Sequence, residues 1–172
     1  MPSIMCEACI QAKQSWKPYP KEAENRSKIH RERIMLNIWG PTRIKSIGKW
    51  KWYISFIDDC TLNSDMKCMK INGEAFNQIK EQVAKIEWKF SKAPRWIRID
   101  NGKEFVDEEM KKWVVEKGIT IETTAPYLPS QNGIVEHLNQ NLLETARAII
   151  IARGLLKFLW DEAVAHANYL RI

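Results

Sequence analysis

The chain has little of what marks several large protein classes. Four cysteines in 172 residues are too few for a disulfide scaffold, and only Cys6 and Cys9 are close together. Cys60 and Cys68 read as small apolar residues in or near strands. No apolar run approaches the roughly 18 residues that span a bilayer, which speaks against a membrane protein. The opening "MPSIMCEACIQAKQSWKPYP" carries charges and no continuous apolar core, so it does not read as a secretory signal, and a reducing compartment is expected. There is no internal repeat and no low-complexity tract. What is present is ordinary for a globular protein: 45% hydrophobic and 28% charged residues, in a chain long enough for one core. The formal net charge of +6 suits a polyanionic partner, although many basic proteins simply carry solvated positive faces.

Composition changes near residue 33. Before it, "KPYPKEAENRSKIHRER" is polar, basic and interrupted by proline, the pattern of a linker that follows the Cys pair. After it the pattern becomes regular. "RIMLNIW" is a short apolar run stopped by Gly40-Pro41 and reads as a buried strand. "KWKWYISFIDD" alternates Trp52, Ile54 and Phe56 against Tyr53, Ser55 and Ile57, and "DMKCMKI" can follow it as a third strand. Phe76, Ile79, Val83, Ile86 and Phe90 recur at steps of three and four, which predicts an amphipathic helix. "RWIRID" predicts a strand ending at Asp100. "VDEEMKKWVVEKG" predicts a short helix with Asp107 near its start and Gly118 as its stop. "ITIETT" is the fifth strand. "NGIVEHLNQNLLETARAIIIARG" predicts a long helix with Val135, Leu138, Leu142 and Ile149 on its apolar side, and "KFLWDEAVAHANYLRI" a last one. An initial meander followed by strands that alternate with helices predicts an α/β domain with a mixed sheet covered by helices.

Taken singly, the chemistry-bearing residues are ambiguous. Asp100 precedes Asn101-Gly102, so it is either a turn former or a reactive group at a strand end. Glu136, with Asn139 and Gln140 three and four residues on, reads as a polar helix face. The two acids have 35 residues between them, and the link includes the proline-containing "TTAPYLPSQNG".

Together, "RIDNGKEF", "TAPYLPSQNGIVEHLN" and "LLETARAIII", with "FIDDCT" and "FLWDEA" in the same order, resemble the integrase core of copia-type retrotransposons, a branch of the retroviral integrase superfamily. The resemblance runs from about residue 33 to the C-terminus. It implies an RNase H-like fold with a five-stranded sheet over residues 33–172, and a preceding segment, 1–32, left over from a zinc-binding domain. It also implies a triad of two Asp and one Glu holding two Mg²⁺ about 4 Å apart for phosphoryl transfer. On that match Asp100 is the second Asp and Glu136 the Glu. The position of the first Asp is Asn37, and the family's His two residues before it is replaced by Met35. An amide offers one neutral oxygen where a carboxylate offers two and a charge, so weak or absent catalysis is expected, with Mn²⁺ the more permissive ion. Asp58 and Asp59 fit less well as substitutes and read as strand-end and turn residues.

The implied function is DNA integration, through 3′-end processing and strand transfer. The alternative is a non-catalytic DNA- or RNA-binding remnant, or an interaction module. Expected nucleic-acid contacts are Tyr127, Ser130, Gln131 and Asn132 in the loop before Glu136, with Asn139, Gln140 and His137 beside it. Lys49 and Lys51 flank Trp50 and Trp52, and Lys92, Arg95 and Arg98 lie around Trp96. These basic residues either grip phosphate or snorkel beside core tryptophans. Cys6 and Cys9 have the spacing of half a Zn²⁺ site. His30 alone cannot complete it, so the pair reads as a half-site of a longer polyprotein or as two neutral cysteines. By the same resemblance the protein is expected in the nucleus, with DNA as partner and self-association possible.

Overall fold

The computed structural model describes residues 26–99, 108–123 and 133–171. Its elements in chain order are β1 (Arg33–Trp39), β2 (Trp52–Asp58), β3 (Ser64–Met69), α1 (Ala75–Phe90), β4 (Trp96–Ile99), α2 (Glu108–Glu116), β5 (Thr120–Thr123), α3 (Gly133–Ala152) and α4 (Trp160–Arg171). Short 3₁₀ turns, Asn72–Glu74 and Lys157–Leu159, lead into α1 and α4.

The strands form one sheet in the order β3-β2-β1-β4-β5. Close connections let β1, β2 and β3 pair antiparallel, whereas β4 and β5 each return by way of a helix and lie parallel to their neighbours. The expected mixed five-stranded, RNase H-like sheet with flanking helices is therefore what the chain forms.

Helices pack on both sides of the sheet, so both faces of the interior strands β1 and β2 are covered. On one side Ile34 and Leu36 of β1 meet Ile54 and Phe56 of β2, with Ile79, Val83 and Ile86 of α1 above them and Met110 and Val114 of α2 beside them. On the other side Tyr53 packs with Leu142 and Ala146 of α3 and with Trp160, Val164 and Ala167 of α4. Met35 and Ile57 close under Val135 on that same side. The alternation read in β2 is thus real but does not separate core from solvent, since every residue from Tyr53 to Asp58 is buried. Each fully buried aliphatic side chain is worth about 1.5–3 kcal/mol, so these two layers supply the main cohesion.

Helix α1 follows the predicted periodicity except at its end. Phe90 is 38% exposed, with the His30 ring perpendicular to it and the Lys89 ammonium over its face, because α1 stops there with Ser91 in the left-handed region. Gly118 ends α2 as expected, at φ +64°. Gly40 ends β1 at φ +138°, and a Cβ there would stand 2.7 Å from the Lys51 carbonyl oxygen, so no side chain fits.

Residues 26–32, read as part of a linker, are bonded to the end of β2. The cause is Asp58 and Asp59, which are 0% and 2% exposed. Asp58 accepts from the Arg31 backbone N–H at 3.0 Å and the Thr61 hydroxyl at 2.7 Å, and stands 3.2 Å from His30 Nε2. Asp59 accepts from the Ser27 N–H at 2.6 Å and pairs with Arg33 at 3.2 Å. Arg26 also donates to the Asp59 carbonyl. Removing a buried carboxylate strands these donors. Asp58→Ala is expected to lower unfolding free energy by about 3 kcal/mol in urea titration, with residues 26–32 becoming the first site of proteolysis. Cleavage rates equal to the parent protein would contradict this reading.

Candidate nucleic-acid-processing site

Alternation along β1 sets the direction of Asn37. Ile34 and Leu36 face α1, so Met35, Asn37 and Trp39 face α3 and α4. Asn37 is half-buried, lies opposite Ser55 of β2, and its carbonyl accepts from the Ser55 hydroxyl at 3.4 Å. The β1–β4 register ends at Leu36 beside Ile99. Asn37 follows Leu36 on β1, and Asp100, which follows Ile99 in the sequence, lies outside the described residues.

Glu136 stands in the first turn of α3 and is exposed. Its neighbour Val135 is 1% exposed, wedged against Met35 and Ile57. One turn further, Asn139 Oδ1 accepts a short hydrogen bond from the hydroxyl of buried Tyr53. These contacts fix α3 over β1 and β2, with Glu136 beside the buried wedge and exposed to solvent. Burial drives the Tyr53 phenol pKa upward, the nearby Cys68 adds to the effect, and the Asn139 hydrogen bond opposes it. Burial also pushes the Cys68 thiol up to about 12, with Asp161 and Glu162 contributing. Cys60 and Cys68 are half-buried free thiols, in keeping with their reading as strand-associated residues.

Asn139, expected on an open polar face, is turned inward by Tyr53, an attachment across 86 residues that helical periodicity does not reveal. Gln140 donates to Glu144 at 2.9 Å, and His137 Nδ1 lies 3.3 Å from the Asn141 amide. Arg98 is paired with its strand neighbour Glu122 at 2.9 Å, and Arg33 reaches the same carboxylate at 3.3 Å. Arg95 lies over the Trp96 ring at 4.5 Å and is itself exposed, as is Lys92.

Lys49 is exposed in the loop between β1 and β2, and Lys51 is half-buried, its backbone N–H bonded to Met69. That loop docks on the start of α4, where Trp160 Nε1 donates to Ile44 and the Ile47 N–H bonds Phe158. It is Lys70, not Lys49 or Lys51, that sits over the Trp50 ring, at 5.3 Å. Cys6, Cys9, Tyr127, Ser130, Gln131 and Asn132 lie outside the described residues.

Do these groups suit a divalent cation? Among the described residues no group of three or more His, Cys, Asp or Glu side chains could hold one. Asn37 contributes a neutral amide, and Asp58 and Asp59 are committed to residues 26–33. The described donors, one amide and the exposed Glu136 carboxylate, fit a hard cation poorly.

A family model described as the TnsB C-terminal domain matches residues 52–149, from β2 through most of α3. The chain belongs to this family. It is also 28% identical over 165 residues to the retrovirus-related Pol polyprotein from transposon TNT 1-94 of Nicotiana tabacum, covering 96% of this chain and 12% of the relative. The retrovirus-related Pol polyproteins from transposons RE2 and RE1 of Arabidopsis thaliana are 24% and 25% identical, with 97% of this chain covered and 11% of each relative. The chain therefore spans about a tenth of the curated relatives it matches. In fold it is similar to a chain in the cryo-electron microscopy structure of the simian T-cell lymphotropic virus intasome in complex with PP2A regulatory subunit B56 gamma. That match has a TM-score of 0.67 and 19% identity, covering 95% of this chain and 56% of the other. The resemblance to retrotransposon integrase cores read from the sequence is upheld by these relatives.

The attachment of α3 is open to direct test. Tyr53→Phe leaves the Asn139 oxygen without its donor and is expected to cost about 1–2 kcal/mol. Amide exchange should rise in the first turns of α3 and not in α1. Uniform acceleration across both helices would show that this bond does not hold α3 in particular.

Proposed function

We propose that this chain is the integrase-core region of a retrotransposon polyprotein, a DNA-integration domain in which Asn37 impairs catalysis. The observation that carries the reading is the placement of Asn37 on the sheet face covered by α3, the helix that presents Glu136, within a chain whose relatives are transposon Pol polyproteins. With Asp100 on the match to the family motif, the ancestral triad becomes Asn37, Asp100 and Glu136. Mg²⁺ or Mn²⁺ would bind there weakly, because the ligand set lacks one anionic member. DNA ends and target DNA are the proposed partners. Tyr127, Ser130, Gln131 and Asn132 are the proposed contacts beside Glu136, with the exposed Lys49 as a more distant phosphate contact. Assembly into a multimer and action in the nucleus belong to the same reading, as does Zn²⁺ at Cys6 and Cys9 when further ligands are supplied.

A second reading, binding of DNA or RNA without chemistry, is favoured by the same Asn37. Binding and strand transfer separate the two. On labelled DNA, the natural chain is expected to bind in a salt-dependent way and to transfer strands barely, if at all, in Mg²⁺. Asn37→Asp is expected to raise strand transfer at least about tenfold, and Glu136→Gln in that background to abolish the gain. Equal activity of the natural chain and the Asn37→Asp protein would overturn the assignment of Asn37 as the missing carboxylate. If neither acts while both bind, the binding reading prevails.

A further inference from the structure

Among the described residues every tryptophan but one is buried or half-buried. The exception is Trp88, near the end of α1 and 87% exposed. Leaving so large an aromatic face in water forgoes the burial that the other tryptophans obtain. Trp88 is not on the side of α1 that packs on the sheet, which Ile79, Val83 and Ile86 hold. It shares the solvent face with Ala84 and Lys85, one turn back.

The surroundings are cationic. Lys85, Lys89, Lys92 and Arg95 are all exposed. Lys85 reaches Asp65 only at 3.9 Å, with its side chain 62% exposed, and Lys89 lies over the Phe90 ring at 5.5 Å. Between Val83 and Ile99 the single acid is Glu87, and Lys117 neutralises it at 2.8 Å. Further back, Glu81 is exposed two turns before Trp88. An open indole face among cations, with the local acid already paired, matches a ligand that offers flat rings and negative charge together. A duplex keeps its rings stacked inside, so the bases that reach Trp88 must be unpaired. A second copy of the chain fits poorly, because a twofold contact centred on Trp88 sets the same cations against themselves.

We propose that the outer face of α1 binds single-stranded nucleic acid, one base stacking on the Trp88 indole while Lys85, Lys89 and Lys92 meet the adjoining phosphates. Helix α1 covers the side of the sheet opposite to α3, so this strand lies away from Asn37 and Glu136. The proposal takes its class of ligand from the nucleic-acid reading above and uses neither of those residues. Stacking and phosphate contacts carry little sequence preference, so DNA and RNA strands share this chemistry.

The test is a titration of the isotopically labelled chain with oligothymidylate and, in a second arm, oligouridylate, followed at the Trp88 indole N–H and the amides of Ala84, Lys85 and Lys89. Saturable shifts that weaken as salt is raised are expected, and the tighter arm identifies the strand. Trp88→Ala, a change at an exposed position, should weaken the affinity read at Lys85 and Lys89 about tenfold. Lys85→Gln combined with Lys92→Gln should flatten the salt dependence. Absence of saturable shifts on α1 in both arms, or equal affinity in Trp88→Ala, would overturn the proposal. Equal saturation by polyglutamate of matched charge, which has no rings, would do the same. So would concentration-dependent broadening at Trp88 that excludes the oligonucleotide, which would assign this face to a second copy. Duplex DNA binding that persists while α1 stays silent sinks this proposal and leaves the integrase reading standing. Shifts on α1 without any duplex binding do the reverse.

Discussion

The position of α3 depends on how it is pinned to the inner strands of the sheet. Val135 fills the space between Met35 and Ile57, and Asn139 takes the proton of a buried tyrosine hydroxyl. Together they fix both the rotation of the helix and its advance along the strands. Rotation decides that Glu136 is exposed while its neighbour is buried. Advance decides that the helix starts over the face to which Asn37 belongs. The apolar contacts further along, from Leu142 and Ala146 to α4, add cohesion but do not select the register of the first turn. A hydrogen bond to a buried hydroxyl is directional, so it specifies what packing alone leaves adjustable.

Acidic residues in this fold have separated into different tasks according to burial. Asp58 and Asp59 look from sequence like turn formers beside a catalytic strand. Their surroundings make them anchors that hold residues 26–33 against the sheet. Glu122 serves Arg98 on the adjacent strand β4 and Arg33 on β1 beyond it. All of these carboxylates are engaged with cationic or backbone partners of the fold, so on the proposed reading of Asn37 none stands in for a carboxylate there.

Much of the fold was legible in the sequence because strand and helix periodicities are local. The order of elements, the stops at Gly40-Pro41 and Gly118, and the mixed sheet follow from residues close together in the chain. Phe90 misled because its spacing matched the apolar face, whereas the end of the helix leaves it half-exposed beside His30 and Lys89. The alternation in β2 could not say that both faces are covered, since that follows from α1 packing on one side of it and α3 and α4 on the other. Asn139 looked like a solvent-facing residue because nothing near it announces Tyr53. Arg98 looked available for phosphate until strand pairing set it against Glu122. Asn37 was singled out by motif position, and the structure adds the face on which it lies.

The central claim is that the amide at Asn37 weakens cation binding beside Glu136. Paramagnetic broadening by Mn²⁺, read at the amides of Asn37, Ser55 and Glu136, measures this without requiring turnover. The account predicts weak, non-saturating broadening in the natural chain and tight, saturable broadening at all three positions in Asn37→Asp. Equal Mn²⁺ affinity in the two proteins would contradict it.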